Sequence, residues 1–519
     1  MKNTLHIFIL LLFSNVLICQ NTFHLRGYYG QLNAVNTSVY PTDSIYYVTG
    51  IVTEPGNNNY TSSFFARYDT AGNLLSQKIL HSGFGKIYET WAPTLTATHD
   101  GNLALAGYGY DSVGMFTLLV KYNLEGDTLW TSLYYNPFTL GDYFGLDDMS
   151  STLDSGFILT ISAHDDINNG HDISVIKTDA LGQVQWHRTY GDPILNDLAP
   201  YVYVESDSTY IISWGKTNNN LSSSNPDIRQ CIINRIDLSG NIITHFESDT
   251  INNKQFGGAV DLLIQTDGYL IGTTIAIPNP TDPSLSLGGI AYAFKLDNIL
   301  DWQWGKKIVT HPPAILSYVR KFFQQADSTI LAIGSCPDPT GIHEMGFMQK
   351  ITPNGDSIWQ RNYAYLTAGG DWNEVYDARR CPDGGFILCG ESRQYTLISG
   401  MGPRQQGWLL KVDSMGCLVP GCHLTAVAQT EGNVAVPIKV FPNPATDFIN
   451  IYIPKIQSGP GFQLHLYDLN GRLLQNHPIP QSDATYILTT EGLEAGMYIL
   501  QLLDDDGRIL GTEKVVITK

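Results

Sequence analysis

The sequence predicts an all-β chain: a seven-bladed β-propeller of four-stranded blades, followed by a small Ig-like β-sandwich. Three observations carry that prediction. A turn-forming Asp precedes a short apolar strand at Asp43, Asp100, Asp154, Asp207, Asp267, Asp327 and Asp383, at intervals of 57, 54, 53, 60, 60 and 56 residues. A second landmark keeps the same beat: a basic residue closes an apolar strand and a turn follows, at Arg67, Lys121, Lys177, Arg235, Lys295, Lys350 and Lys411. The beat stops near Ile438, where a different run of alternating strands begins, separated by Asn-Gly, Ala-Gly and Asp-Gly turns.

Each repeat reads as four strands. The first precedes the Asp turn (TLTATHD, DLLIQTD), the second follows it, the third ends at the basic residue and the fourth starts after the next turn. Alternating apolar residues between Gly, Asn and Asp turns mark antiparallel hairpins. A four-stranded unit at this period is a propeller blade, because its sheet faces are buried only by its neighbours. Trp130, Trp186, Trp304 and Trp359 recur in the fourth strand and are expected to pack between blades. The seventh repeat lacks a fourth strand, whereas TFHLRGYYG at 22–30 reads as a fourth strand without a repeat. That segment is expected to complete the last blade and remove the open edges of the ring.

The composition suits this reading: 43% apolar and only 15% charged, with 49 Gly, 29 Tyr and 9 Trp. Net charge is −19 and no Lys/Arg-rich block occurs. A phosphate backbone would be repelled, so nucleic acid is not an expected partner. Lys2 precedes an apolar run from Leu5 to Ile18, broken by His6, Ser14 and Asn15. The run is too short to span a bilayer and fits a secretory signal peptide with cleavage near Cys19 or Gln20. The expected organisation is a signal peptide at 1–20, the propeller at 21–425, a polar linker at 426–437 and the second β-domain at 438–519. No transmembrane segment is expected. Six cysteines follow the signal, and Cys417 and Cys422 in GCLVPGC form the disulfide candidate, because the Pro-Gly turn folds the two thiols together. A zinc site there would need two further ligands and only His423 is near, so neither a metal nor a cofactor is expected.

The last 82 residues carry an ordered set of motifs. Pro442, Asn443 and Pro444 follow an apolar strand, then Asp447 precedes FINI. YDLNGR runs from Tyr467 to Arg472 and includes Gly471; GMYIL starts at Gly496 and includes Tyr498; the chain ends in a basic strand at Lys519. This set closely resembles the type A C-terminal sorting domain of the type IX secretion system of Bacteroidetes. The resemblance implies type IX secretion machinery as a partner, export across the outer membrane, removal of the domain and attachment to surface lipopolysaccharide.

Chemistry in the body is less legible. No HExxH, GxSxG or P-loop pattern is present. HDDINNGHD, from His164 to Asp172, reads as a solvated turn between two strands rather than a metal site. The starts of the first strands carry Glu89, Asp142, Asp197 and Glu374 with Trp91, Tyr143 and Trp372. Such an acidic, aromatic rim suits a binding scaffold for glycan or protein. Alternatively, two of its carboxylates would serve as acid and base or nucleophile of a secreted glycoside hydrolase or lyase.

Overall fold

The computed structural model describes residues 20–27, 29, 33–54, 57–80, 94–135, 144–165, 170–192, 195–217, 229–248, 256–259, 261–278, 286–309, 317–338, 341, 343–367, 370–394, 404–419, 422, 438–454, 462–468, 473–479, 484–504 and 509–518. Residues 1–19 of the proposed signal peptide, Gly471 and Lys519 lie outside them. The chain divides into two units, Met1–Pro420 and Gly421–Lys519.

The first unit holds seven antiparallel blades among the described residues. Blade 1 spans 34–80, blade 2 96–135, blade 3 144–190, blade 4 196–247, blade 5 261–307 and blade 6 318–363. Blade 7 is built from Trp372–Arg380, Phe386–Arg393 and Gln405–Val412. Strands follow one another in sequence order within each blade. First strands of neighbouring blades touch, which places them around the centre. Fourth strands such as Thr128–Tyr135 and Val184–Tyr190 are largely exposed and form the outer edge. Blades 6 and 7 are also linked by a single parallel bridge, Glu344 to Trp372.

The ring closes as the sequence predicts. Phe23–Arg26 pairs antiparallel with the third strand of blade 7, Phe23 opposite Lys411 and Arg26 opposite Trp408. Gly27 N extends the pairing by donating to Gly407 O at 2.6 Å.

The two repeated landmarks turn out to be partners. The Asp of the first turn meets the Lys closing the third strand in Asp100–Lys121 (2.7 Å), Asp154–Lys177 (2.8 Å), Asp267–Lys295 (2.6 Å), Asp327–Lys350 (2.9 Å) and Asp383–Lys411 (2.8 Å). Blade 4 uses a variant, Glu205 to Arg235 at 2.8 Å, in place of Asp207. The residue two places after the basic one then folds the next turn. Asp69, Asn123, Asp179, Asp237, Asp297 and Asp413 each accept from the backbone N–H groups two and four residues on, at 2.7–3.1 Å. This is the Asx turn that makes these residue types favoured at such positions.

The expected inter-blade role of the Trp residues also holds. Trp130 of blade 2 packs on Phe157 of blade 3, with ring centroids 6.2 Å apart. Trp186 of blade 3 donates its indole N–H to Leu238 O of blade 4 at 2.7 Å. Each of these rings sits on the turn glycine of the following blade. A Cβ on Gly182 would lie 3.0 Å from Trp130, one on Gly240 3.2 Å from Trp186 and one on Gly355 2.7 Å from Trp304.

The second unit is a sandwich of two sheets. One contains Lys439–Phe441, Phe448–Ile453 and Ala484–Thr489; the other contains Leu473–Ile479, Phe462–Tyr467, Gly496–Asp504 and Ile509–Ile517. Burial alternates residue by residue along Phe448–Ile453 and Phe462–Tyr467, as the period of a half-buried strand requires. Ile449, Ile451, Leu464, Leu466, Leu500 and Leu502 form the core between them. Asn443 imitates a strand residue: its side chain donates to Lys514 O at 2.6 Å and accepts from Val516 N at 2.8 Å. Ala445 continues the contact by bridging Ile517 in parallel. Of the other motif residues, Pro442, Pro444 and Asp447 are exposed, Gly496 opens its strand and Tyr498 is buried with its hydroxyl donating to Glu494 O at 2.7 Å.

Candidate binding site

The centre of the ring is lined by first strands that share a local irregularity. Their pairing with the second strand skips a register step after Asn36, Leu146, Leu198, Val319 and Val375. A bulge of this kind re-aims side chains. Next to it, Asp148 accepts from Val202 N at 3.0 Å and Asp377 from Val39 N at 3.1 Å; Asp261 accepts from Phe322 N at 2.6 Å. In each case the acid of one blade caps a backbone N–H of the next blade's first strand, and blade 7 caps blade 1. These acids are structural staples between blades. A cavity of about 360 Å³ in the channel is lined by Asp148, Asp261, Lys321 and Arg379, among others. Burial pushes the Asp148 carboxyl up to about 6 against the opposing pull of Lys321, and pushes Asp147 up to about 7.

The rim residues read from the sequence divide three ways. Glu89, Trp91, Asp142 and Tyr143 lie outside the described residues. Asp197 is 1% exposed, accepts from Trp214 Nε1 at 2.5 Å and from Asp192 N at 2.7 Å, and is pushed up to about 6 by burial. It supports the inside of blade 4 rather than an open rim. Trp372 and Glu374 do come together: Trp372 Nε1 donates to Glu374 Oε2 at 2.9 Å. Arg320 adds a contact to Glu374 Oε1 at 3.2 Å, and the Tyr318 hydroxyl donates to the same oxygen. Tyr318 also reaches Glu344 at 3.4 Å, so one hydroxyl lies between two carboxyl groups. Glu344 is 2% exposed, and burial together with Glu374 pushes it up to about 9. At neutral pH Glu344 is therefore protonated, while Glu374 has Arg320 beside it.

Beside Trp372 a second cavity opens at the seam between blades 7 and 1. It measures about 400 Å³ and is lined by Asn33, Trp372, Arg393, Gln394, Arg404 and Gln405. The Arg393 guanidinium lies 5.2 Å from the Trp372 ring centroid and 3.9 Å from Glu391 Oε1. Gln405 N donates to Asn33 Oδ1 at 3.1 Å, and the Gln405 side chain donates to Glu391. Arg404 Nε donates to Gln394 O at 2.7 Å. Gln394 is 1% exposed, and neither its amide nitrogen nor its amide oxygen has a partner.

Arg393, Gln394, Arg404 and Gln405 escape a reading confined to first-strand starts, because they sit at the end of the second strand and the start of the third. The available signal is an Arg-Gln pair on each arm of one hairpin, ESRQ and PRQQ, which the register sets opposite each other with Arg393 facing Gln405.

A larger groove of about 810 Å³ lies at the opposite ends of the strands, between blades 5 and 6. Its glutamine amides already have partners within the protein: Gln265, for example, accepts from Lys295 and donates to Gln324, both at 2.5 Å. Among the described residues no group of three or more His, Cys, Asp or Glu side chains is placed to hold a metal ion. Of HDDINNGHD, residues 166–169 lie outside the described residues; the flanks pair as a hairpin between the second and third strands of blade 3. Cys417 and Cys422 are each disulfide-bonded, whereas Cys231, Cys336, Cys381 and Cys389 are buried free thiols.

Residues 439–518 match the family described as the secretion system C-terminal sorting domain. This segment is a type IX sorting domain. Such a domain engages the type IX machinery and indicates secretion across the outer membrane, to a cell-surface or extracellular location. No helix among the described residues is long and apolar enough to cross a membrane. Part of the chain is similar to the α-L-arabinanase of Penicillium chrysogenum in complex with arabinobiose, at 12% identity and TM-score 0.41, over 62% of this chain and 93% of that one. It is also similar to the β-propeller domain of the Trilobed protease of Pyrococcus furiosus, described as having an open velcro topology, at 9% identity and TM-score 0.40, over 74% and 95%. Likeness at this level carries no functional argument. No curated protein matches the chain.

Proposed function

We propose that the chain, exported by a signal peptide at 1–20 and the sorting domain, presents its propeller as a non-enzymatic binding scaffold for glycan or protein. Removal of the sorting domain and attachment to surface lipopolysaccharide follow export in this reading. The observation that supports it is the state of the carboxylates. Asp148, Asp261 and Asp377 are spent on inter-blade backbone contacts, Asp197 on Trp214, and Glu374 on Trp372, Tyr318 and Arg320. None of these offers an open pair of oxygens flanking a cleft, as glycoside hydrolysis requires. The site beside them is instead aromatic and amide-rich, which suits recognition by stacking and hydrogen bonds.

The enzymatic alternative, a secreted glycoside hydrolase or lyase, draws on one feature. Glu344, whose carboxyl is pushed up to about 9 by burial, and Glu374 lie on either side of the Tyr318 hydroxyl. Glycan-array binding and polysaccharide-degradation assays on the full chain separate the two. Retention of glycan without release of reducing or unsaturated ends is expected. Product formation that disappears in Glu344→Gln or Glu374→Gln would establish the enzyme instead.

A further inference from the structure

We propose that the cavity at the seam of blades 7 and 1 is a binding subsite for a carboxylate-bearing saccharide. This rests on the binding reading above and narrows it to one place and one ligand class.

In a chain of net charge −19, two guanidiniums, Arg393 and Arg404, line a single cavity. The carboxylate beside Arg393, Glu391, is 4% exposed and lies behind the cavity wall, where Gln405 and Arg393 hold it. Planar guanidinium forks match a carboxylate better than they match a lone hydroxyl, which gives the site a reason to prefer an acidic sugar. Trp372 supplies an aromatic surface, and the amides of Asn33 and Gln405 supply hydrogen-bonding groups for hydroxyls. A volume of about 400 Å³ suits a mono- or disaccharide unit.

Gln394 is the second and independent observation. A buried amide normally finds partners, because its desolvation is otherwise uncompensated. Both amide atoms of Gln394 lack them, in a side chain that lines this cavity. A saccharide oxygen in the cavity would accept from its nitrogen, and a saccharide hydroxyl would donate to its oxygen. The site also exists only when the ring is closed, because Asn33 comes from the start of blade 1 and the other lining residues from blade 7.

Titration calorimetry on the full chain with oligogalacturonate, the matched neutral galacto-oligosaccharide and a sulfated oligosaccharide tests the proposal. Oligogalacturonate is expected to bind at least about tenfold more tightly than the other two. Arg393→Gln should lose about tenfold for oligogalacturonate alone, and Arg393→Lys, which keeps the charge but not the fork, should fall between. Gln394→Leu is the sharper variant. It should raise the melting temperature, by removing an unsatisfied amide, and yet weaken oligogalacturonate binding by about tenfold, because the saccharide loses a hydrogen-bonding partner. Unchanged oligogalacturonate affinity in Gln394→Leu, or equal affinity for the neutral or sulfated sugar, overturns the subsite while leaving a glycan-binding propeller intact. Failure of all three sugars to bind also overturns it. Cleavage of the titrated sugar defeats the binding reading itself, a result visible separately as new reducing ends.

Discussion

Lys411 is 0% exposed at its side chain and Lys177 3%, yet Lys350 is 19% exposed, although all three occupy the same place in the repeat. Their Asp partners are more exposed, at 24%, 51% and 56%. The long aliphatic stems lie in the blade and carry the ammonium out to an acid at the turn. That asymmetry predicts which partner matters. Asp383→Ala strands a buried ammonium with Val412 O as its remaining contact and should cost about 3 kcal/mol. Asp327→Ala leaves Lys350 able to reach water and should cost about 1 kcal/mol or less. Urea unfolding of the two variants distinguishes them; equal losses would mean the pairs add no more than surface contacts do. The sequence shows both landmarks, but not that they meet. Asp100 and Lys121 are far apart along the chain, and only the pairing of the second and third strands brings them within 2.7 Å. The same limit hid half of the candidate site. Trp372 and Glu374 are two residues apart and could be read together, whereas Arg393 and Arg404 meet through strand register.

At the scale of the element, the repeated turn is both a local and a long-range device. Its Asx acceptor folds the hairpin, while its glycine leaves room for the aromatic ring of the preceding blade. Gly182 and Gly101 separate these two demands, because their φ values are nearly equal at +76° and +79°. A Cβ at Gly101 meets nothing within 4 Å, whereas one at Gly182 meets Ser132 Oγ at 2.5 Å and Trp130 at 3.0 Å. Gly101→Ala should therefore cost only the left-handed backbone penalty of about 1–2 kcal/mol. Gly182→Ala adds displacement of a packed ring and should cost about 1–3 kcal/mol more. Matching denaturation midpoints for the two would show that the ring contact is slack. Blade 5 departs from the rule: Leu300 takes the glycine's place at φ +67° and is 3% exposed in the core. Its burial offsets the backbone cost that glycine avoids elsewhere. The repeat was legible because the turn chemistry is local; Leu300 broke the Gly pattern in KLDNIL for a reason that lies in the packing.

The molecule as a whole sets two groups of carboxylates against each other. Asp147, Asp148, Asp197 and Glu344 are pushed up to about 7, 6, 6 and 9, chiefly by burial. Folding holds their protons, so the stability they contribute is present below about pH 4 and is lost as pH rises through those values. Asp327, held down to about 2 by Thr329 and Lys350, and Asp100 and Asp267, also lowered, act the other way: their contribution is present above about pH 4 and is lost as pH falls toward 2. The melting temperature should accordingly peak near pH 4–5 and decline toward pH 9. A scan with its maximum at pH 7 or above would contradict this. The closing strand has a further consequence, one of timing. Phe23–Arg26 is made among the first residues of the propeller, but its partner Trp408–Lys411 is made among the last. Joining them requires nearly the longest loop the unit possesses, and contacts of that span form late. A chain being exported therefore carries its latch from the outset and engages it only once the seventh blade is present. Until then the ring is an arc with two open edges, and a chain cut short before blade 7 would remain one.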